Sequence, residues 1–335
     1  MKAYKKAFII TPLVLLILGI IIMLISLTAV HFDVKALDLC GESEKITKEY
    51  AVSEIDNISV NLSSTNVIVK KSPSEKIKIT YYTSDCCPSS VTTEEKELCL
   101  TDNLNNIWSF GEKGCFHGIG RLELNTVIEI PDKSLWLNTS DKASDNHSDT
   151  LTEWLFSLSD TSDEPSENLP KINVYLANGN VSISDINIGN IDAEVSNGSI
   201  SLSNIDNVYG NLKATISNGY FKADKTRCHT LDIESSNGKV NVSNTGARNA
   251  INVNTSNGSI EVKNIVSNNI SLESANGYIS GNIIGKPSDY NTTSSTSLGN
   301  NSLEVYNSQI TNSVKKLNVV TSNGDISVKF TDKDL

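Results

Sequence analysis

Ile191, Ala193 and Val195 alternate with polar residues and lead into Asn197-Gly198. Leu212, Ala214 and Ile216 do the same before Asn218-Gly219, and Ile251, Val253 and Thr255 before Asn257-Gly258. Leu317, Val319 and Thr321 repeat the figure before Asn323-Gly324. Period-two alternation of this kind predicts a strand with one apolar face. Beyond each Asn-Gly the apolar parity shifts by one: Ile200 and Leu202, Ile260 and Val262, Ile326 and Val328. A second strand therefore follows each corner, with Gly supplying the positive φ that turns the chain.

The corners recur at Asn178, Asn197, Asn218, Asn237, Asn257, Asn276 and Asn323, each followed by glycine: Gly179, Gly198, Gly219, Gly238, Gly258, Gly277 and Gly324. Successive gaps are 19, 21, 19, 20, 19 and 47. The long gap has room for one degenerate copy, near Leu298-Gly299. A fixed period of this size predicts a stack of coils, each of two short strands and two turns, whose apolar faces form one continuous core. The fold expected is all-β: a single-stranded parallel β-helix or β-solenoid of about 20-residue coils, right-handed, with one transmembrane helix before it. The Asn shares the parity of the inward residues before it, which predicts an inward amide stacked over the amides of neighbouring coils. The competing reading is an Asn-Gly hairpin turn with its amide in solvent. A calcium-binding row is disfavoured, because Asp is missing from that position in nearly every copy.

The segments "SNGSISLSNI", "SSNGKVNVSN", "TSNGSIEVKNI" and "KKLNVVTSNGDISVKF" resemble the putative-adhesin β-strand-repeat family, a bacterial domain of unknown function. "YAVSEIDNISVNLSSTNVIVKKSPSEKIKITYY" looks like its entry coils, and "VIEIPDKSLWL" like one of its strands ending in Pro. The resemblance runs from Ile46 to the C-terminus. It implies a bacterial envelope protein behind a single N-terminal anchor and carries over no catalytic residue. Two stretches depart from the pattern, a Cys-bearing insertion over 84–117 and an acidic, Ser- and Asp-rich loop over 140–169.

Residues 7–30 carry no charge, which is long enough for a membrane-spanning helix. Lys2, Lys5 and Lys6 precede them, so the short tail 1–6 is expected in the cytoplasm. The linker 31–45 and the solenoid 46–335 then lie outside the cell. A cleaved signal peptide is the alternative, with a shorter apolar core and a small-residue cleavage site. The net charge of −11 makes nucleic acid a poor partner. An integral single-pass membrane attachment is expected, with an unidentified envelope protein or wall polymer as partner.

Candidate chemistry is sparse. Cys86, Cys87, Cys99 and Cys115 are candidates for disulfide bonding in some pairing, against free thiols or a zinc site completed by His117. Trp154, Leu155 and Phe156 interrupt the polar loop. They either dock it on the solenoid flank or present a partner contact. No cofactor, metal or catalytic set is expected: His31, His117, His147 and His229 sit in no nucleophile motif. Asp192, Glu194, Asp232 and Glu234 take outward strand positions. The expected role is thus a binding or structural module of the envelope. Alternatives are a regulator of an envelope-stress response acting through a membrane partner and, further off, a wall-carbohydrate enzyme.

Overall fold

The computed structural model describes residues 16–25, 28, 43–84, 88–102, 124–131, 170–187, 189–307, 313 and 315–331. Residues 16–25 are helical and their large apolar side chains are exposed, from Leu16 to Ile25. Among the described residues no helix is long and apolar enough to cross a membrane.

The remainder is β-structure. In chain order the strands are β1 (Glu44–Ala51), β2 (Asn57–Ser64), β3 (Asn66–Lys71), β4 (Lys76–Thr83) and β5 (Ser89–Glu94). β6 (Glu97–Asp102), β7 (Asn125–Ile130), β8 (Lys171–Ser184), β9 (Asn190–Asn237) and β10 (Val240–Asn257) follow. β11 (Ile260–Asn276), β12 (Ile279–Ile284), β13 (Tyr290–Leu298), β14 (Lys315–Asn323) and β15 (Ile326–Thr331) complete one 15-stranded sheet.

In the repeats the pairing is parallel and steps by one period. Asn178 lies beside Asn197, Asn237 beside Asn257, and Asn257 beside Asn276. The alternating apolar residues consequently stack on their own equivalents. Leu231, Ile251, Ile270 and Leu317 form one column, and Phe221, Val240, Ile260 and Ile279 another. All eight are at most 2% exposed. Phe221 shares its coil with Ala214 and Ala223, large beside small, as a filled core requires.

The coils of β9, β10 and β11 have three paired runs, not the two that alternation suggested. Beyond the post-corner strand lies a short third run in which Thr245 pairs with Thr226 and Ile265, and Ala247 with Cys228 and Ser267. The register shifts between Ala247 and Ala250, which makes a further corner. Three residues are too short a run to show a period, so the sequence hid this side.

Both ends depart from sequential stacking. β2 and β3 pair directly with β8 on one side and with β6 and β7 on the other. The first coil of the sequence therefore sits inside the second. At the far end β14 lies between β11 and β13, and Asn323 pairs with both Asn276 and Leu298. The degenerate copy at Leu298-Gly299 does occupy a corner, but as the outermost coil, not the penultimate one. The stretch 84–117 also contributes to the stack. β6 supplies the buried Leu98 and Leu100 and pairs in parallel with β2, while β5 folds back on β6 as an antiparallel hairpin. Its turn residues, Glu95 and Lys96, both have positive φ, the backbone of a tight hairpin without its usual Asn-Gly signature.

Each end carries an added feature. At one end antiparallel β4 pairs with β7, and β1 with β4. At the other end the Asn307 side chain imitates a neighbouring strand. Its Nδ2 donates to the Ser294 carbonyl at 2.7 Å, and its Oδ1 accepts from the Ser294 backbone N–H at 2.7 Å.

Candidate functional site

The most regular polar feature is the Asn-Gly corner, and its amides form a continuous ladder. Nδ2 of each Asn donates to Oδ1 of the Asn one coil earlier. The distances are 3.1 Å for Asn197 to Asn178, 3.1 Å for Asn218 to Asn197 and 3.0 Å for Asn237 to Asn218. They are 3.1 Å for Asn257 to Asn237, 2.9 Å for Asn276 to Asn257 and 2.7 Å for Asn323 to Asn276. The ladder expected from the period is present, but its direction is reversed. All seven asparagines are exposed. Ser256 and Asn257 are consecutive exposed residues, so the alternation that buries Ile251, Val253 and Thr255 ends at the corner. Parity counted through a bend carries no directional information, which is why the inward expectation failed.

The glycines are required for a second reason besides φ. At Gly198, Gly219 and Gly238 φ is 148°, 147° and 149°, a region L side chains rarely adopt. At each a Cβ would also overlap the carbonyl oxygen of the glycine one coil earlier. Gly258 and Gly277 lack such a φ but meet the same carbonyl obstruction. Those oxygens are also acceptors. Ser274 and Thr321 donate their hydroxyls to the Gly258 and Gly277 carbonyls at 2.9 and 2.8 Å.

Around the ladder the corner is almost neutral. Ser217, Ser236, Ser256 and Ser322 precede Asn and are exposed. The residue after Gly is Tyr220, Lys239, Ser259, Tyr278 or Asp325 in successive coils from the third on. Lys239 is ion-paired with Glu261. Tyr220 and Tyr278 are each 56% exposed, and Leu298, at the Asn position of the outermost coil, is 69% exposed.

A second ladder escaped the sequence reading. Seven residues past the corner Asn stand Asp185, Asn204, Lys225, Asn244 and Asn264, all with left-handed φ between 47° and 58°. Asn204 donates to Asp185 at 3.0 Å, Asn264 to Asn244 at 3.0 Å, and Asn282 to Asn264 at 2.7 Å. Lys225 cannot continue the row, and Asn244 donates instead to the Asp224 carboxylate at 2.9 Å. Burial works to raise the Asp224 pKa, but hydrogen bonds from Ser243 and Asn244, together with the charges of Lys222 and Lys225, hold the carboxyl below its usual range. The available signal was the Asn or Asp at offset seven, a position that left-handed backbone favours.

Of the candidate thiols, Cys99 is free and half-buried, and burial pushes its pKa up. Cys228 is free and fully buried in the third side, and its pKa is also pushed up by burial. Cys86, Cys87, Cys115 and His117 lie outside the described residues, as do Trp154, Leu155 and Phe156. Among the described residues no group of three or more His, Cys, Asp or Glu side chains is placed to hold a metal ion.

No curated protein matches the sequence. Two solved structures match the chain. One is a putative cell adhesion protein from Clostridium sporogenes, at 13% identity over 87% of this chain and 100% of the other, with a TM-score of 0.27. The other is a putative adhesin from Bacteroides fragilis, at 14% identity over 85% of this chain and 97% of the other, with a TM-score of 0.37. The model of one family, Toastrack DUF4097, a domain of unknown function, matches residues 55–331, the whole stack from the first coil to β15. The chain belongs to the Toastrack DUF4097 family.

Proposed function

We propose that this chain is a tethered, extracellular module of the bacterial cell envelope, a rigid β-solenoid that binds or spaces and does not catalyse. The observation that carries the reading is the direction of its regular polar row. The repeat builds a line of exposed amides along the axis, backed by closely stacked apolar columns, instead of converging polar groups on a pocket. A line suits an extended partner, whereas catalysis calls for groups gathered around one reacting atom. Tethering is supported by the uncharged run 7–30 with lysines only on its N-terminal side. The exposed apolar side chains of the helical residues 16–25 fit the same reading.

Protease shaving of intact cells tests it. The expected result is loss of the solenoid from the cell surface while the N-terminal segment stays with the membrane. Recovery of the chain as a freely soluble secreted protein, or full protection from added protease, would reject it. Incubating the full chain with purified wall polysaccharide is expected to release no product, and sustained turnover would replace a binding role with an enzymatic one.

A further inference from the structure

Outside the N-terminal helix, the exposed large apolar residues among those described are Tyr220, Tyr278, Leu298 and Val305. Three of the four fall on the Asn-Gly corner. The strands beside Tyr220 and Tyr278 are three coils apart, through Phe221, Val240, Ile260 and Ile279. At one strand spacing per coil this puts the rings about 14 Å apart along the axis. Leu298 stands two coils beyond the Asn276 corner, through Asn323. Exposed apolar groups gathered on one edge mark an interaction surface, whereas scattered ones do not.

The chemistry between them narrows the partner. A ladder Asn uses one lone pair of its oxygen on the next amide, which leaves a second pointing to solvent. Exposed serine hydroxyls at Ser236 and Ser256 alternate with these oxygens. The edge is nearly uncharged in a chain of net charge −11: Lys239 is engaged by Glu261, and Asp325 accepts the Asn300 backbone N–H at 2.7 Å. Such an edge offers no counter-charge to a nucleic acid or an acidic polymer. It offers repeated acceptors to hydroxyl groups, and aromatic faces to a ring with an apolar side.

We infer that the Asn-Gly corner is a binding edge for an extended neutral polysaccharide lying along the solenoid axis. Tyr220 and Tyr278 are its stacking platforms, and the amide oxygens between them, at Asn237 and Asn257, accept from sugar hydroxyls. This deepens the envelope-module reading by naming a ligand class. It rests on that reading for the source of the polymer and not for the chemistry of the edge.

Affinity electrophoresis of the full chain in detergent, through native gels containing hydroxyethyl cellulose or glycol chitin, tests it. The wild-type chain is expected to be retarded by at least one of the two polymers. Tyr220→Ser and Tyr278→Ser place at these positions the residue that other coils carry there, Ser199 and Ser259, so the fold is expected to tolerate them. Each is expected to weaken binding by about tenfold and the pair to abolish it, while Val305→Ser, off the corner, leaves it unchanged. No retardation of the wild-type chain in either polymer overturns the inference, and so does equal retardation of the double variant. A concentration-dependent dimer seen in sedimentation, and lost in the double variant, also overturns it by giving the corner to a second copy. None of these results alters the outcome of protease shaving, so the two readings fail separately.

Discussion

Two of the corners of the coil solve the same problem with different chemistry. At the Asn-Gly corner the backbone itself excludes a side chain, because the carbonyl of one glycine occupies the place of the next glycine's Cβ. At the corner seven residues on, a side chain fits, and apart from Lys225 the left-handed backbone is held by Asn or Asp, the Asn amides bridging the coils. Burial differs as well. Asn257 is exposed, whereas Asn264 is only 3% exposed with both of its neighbours in the row hydrogen-bonded. The comparison separates two uses of an asparagine ladder. The first lies in water, where each bond competes with solvent; the second starts exposed at Asp185 and Asn204 and is walled off only at Asn264, where a lost partner leaves a desolvated group.

Gly238→Ala is expected to break the contrast most severely. It meets both an unfavourable φ and a backbone carbonyl that no rotamer change can move, and should cost about 3 kcal/mol or more. Denaturant melts of the full chain in detergent would show it, and a loss no greater than that of a surface substitution would remove the steric account of the corner. Asn264→Ala comes next, at about 2 kcal/mol, since it removes a buried amide from its half-buried partners Asn244 and Asn282. Asn257→Ala should cost only about 0.5–1 kcal/mol, because water replaces the missing amide. Equal losses for Asn264 and Asn257 in paired melts would erase the distinction between the ladders. The smallest change has the opposite sign. Lys225 interrupts the second row with left-handed φ of 51°, and Lys225→Asn should gain about 0.5 kcal/mol by relieving the backbone and joining Asn204 to Asn244. A melt that moves downward would show that the Lys225 side chain has a stabilising role of its own.

The interleaved ends carry a related lesson. A strictly sequential stack would leave its first and last coils held on one face only. Here the outermost coil is followed or preceded in the chain by a strand placed one layer further in, so the terminal strand β15 pairs with β12 in the body of the stack. Asn307 then occupies the backbone groups of Ser294 that another chain would otherwise find open.

The sequence alone determined the repeat, the apolar columns, the corner positions and the existence of an amide ladder. These follow from intervals measured along the chain, and a period of about 20 with period-two alternation inside it has few other physical meanings. Only the tertiary structure decided which way the corner amides face, because a bend of unknown angle breaks the parity that strand counting depends on. Thr245–Ala247 as a third side, and Leu98 and Leu100 as core inside a Cys-rich stretch, were hidden by runs too short to show a period. The order of the terminal coils was hidden for a different reason. Parallel neighbours bury equivalent residues in equivalent places, so Leu317 and Val319 fit against β11 or β13 alike. The layer they fill is set by the closure of the whole stack, a contact between residues far apart in sequence that no local pattern encodes.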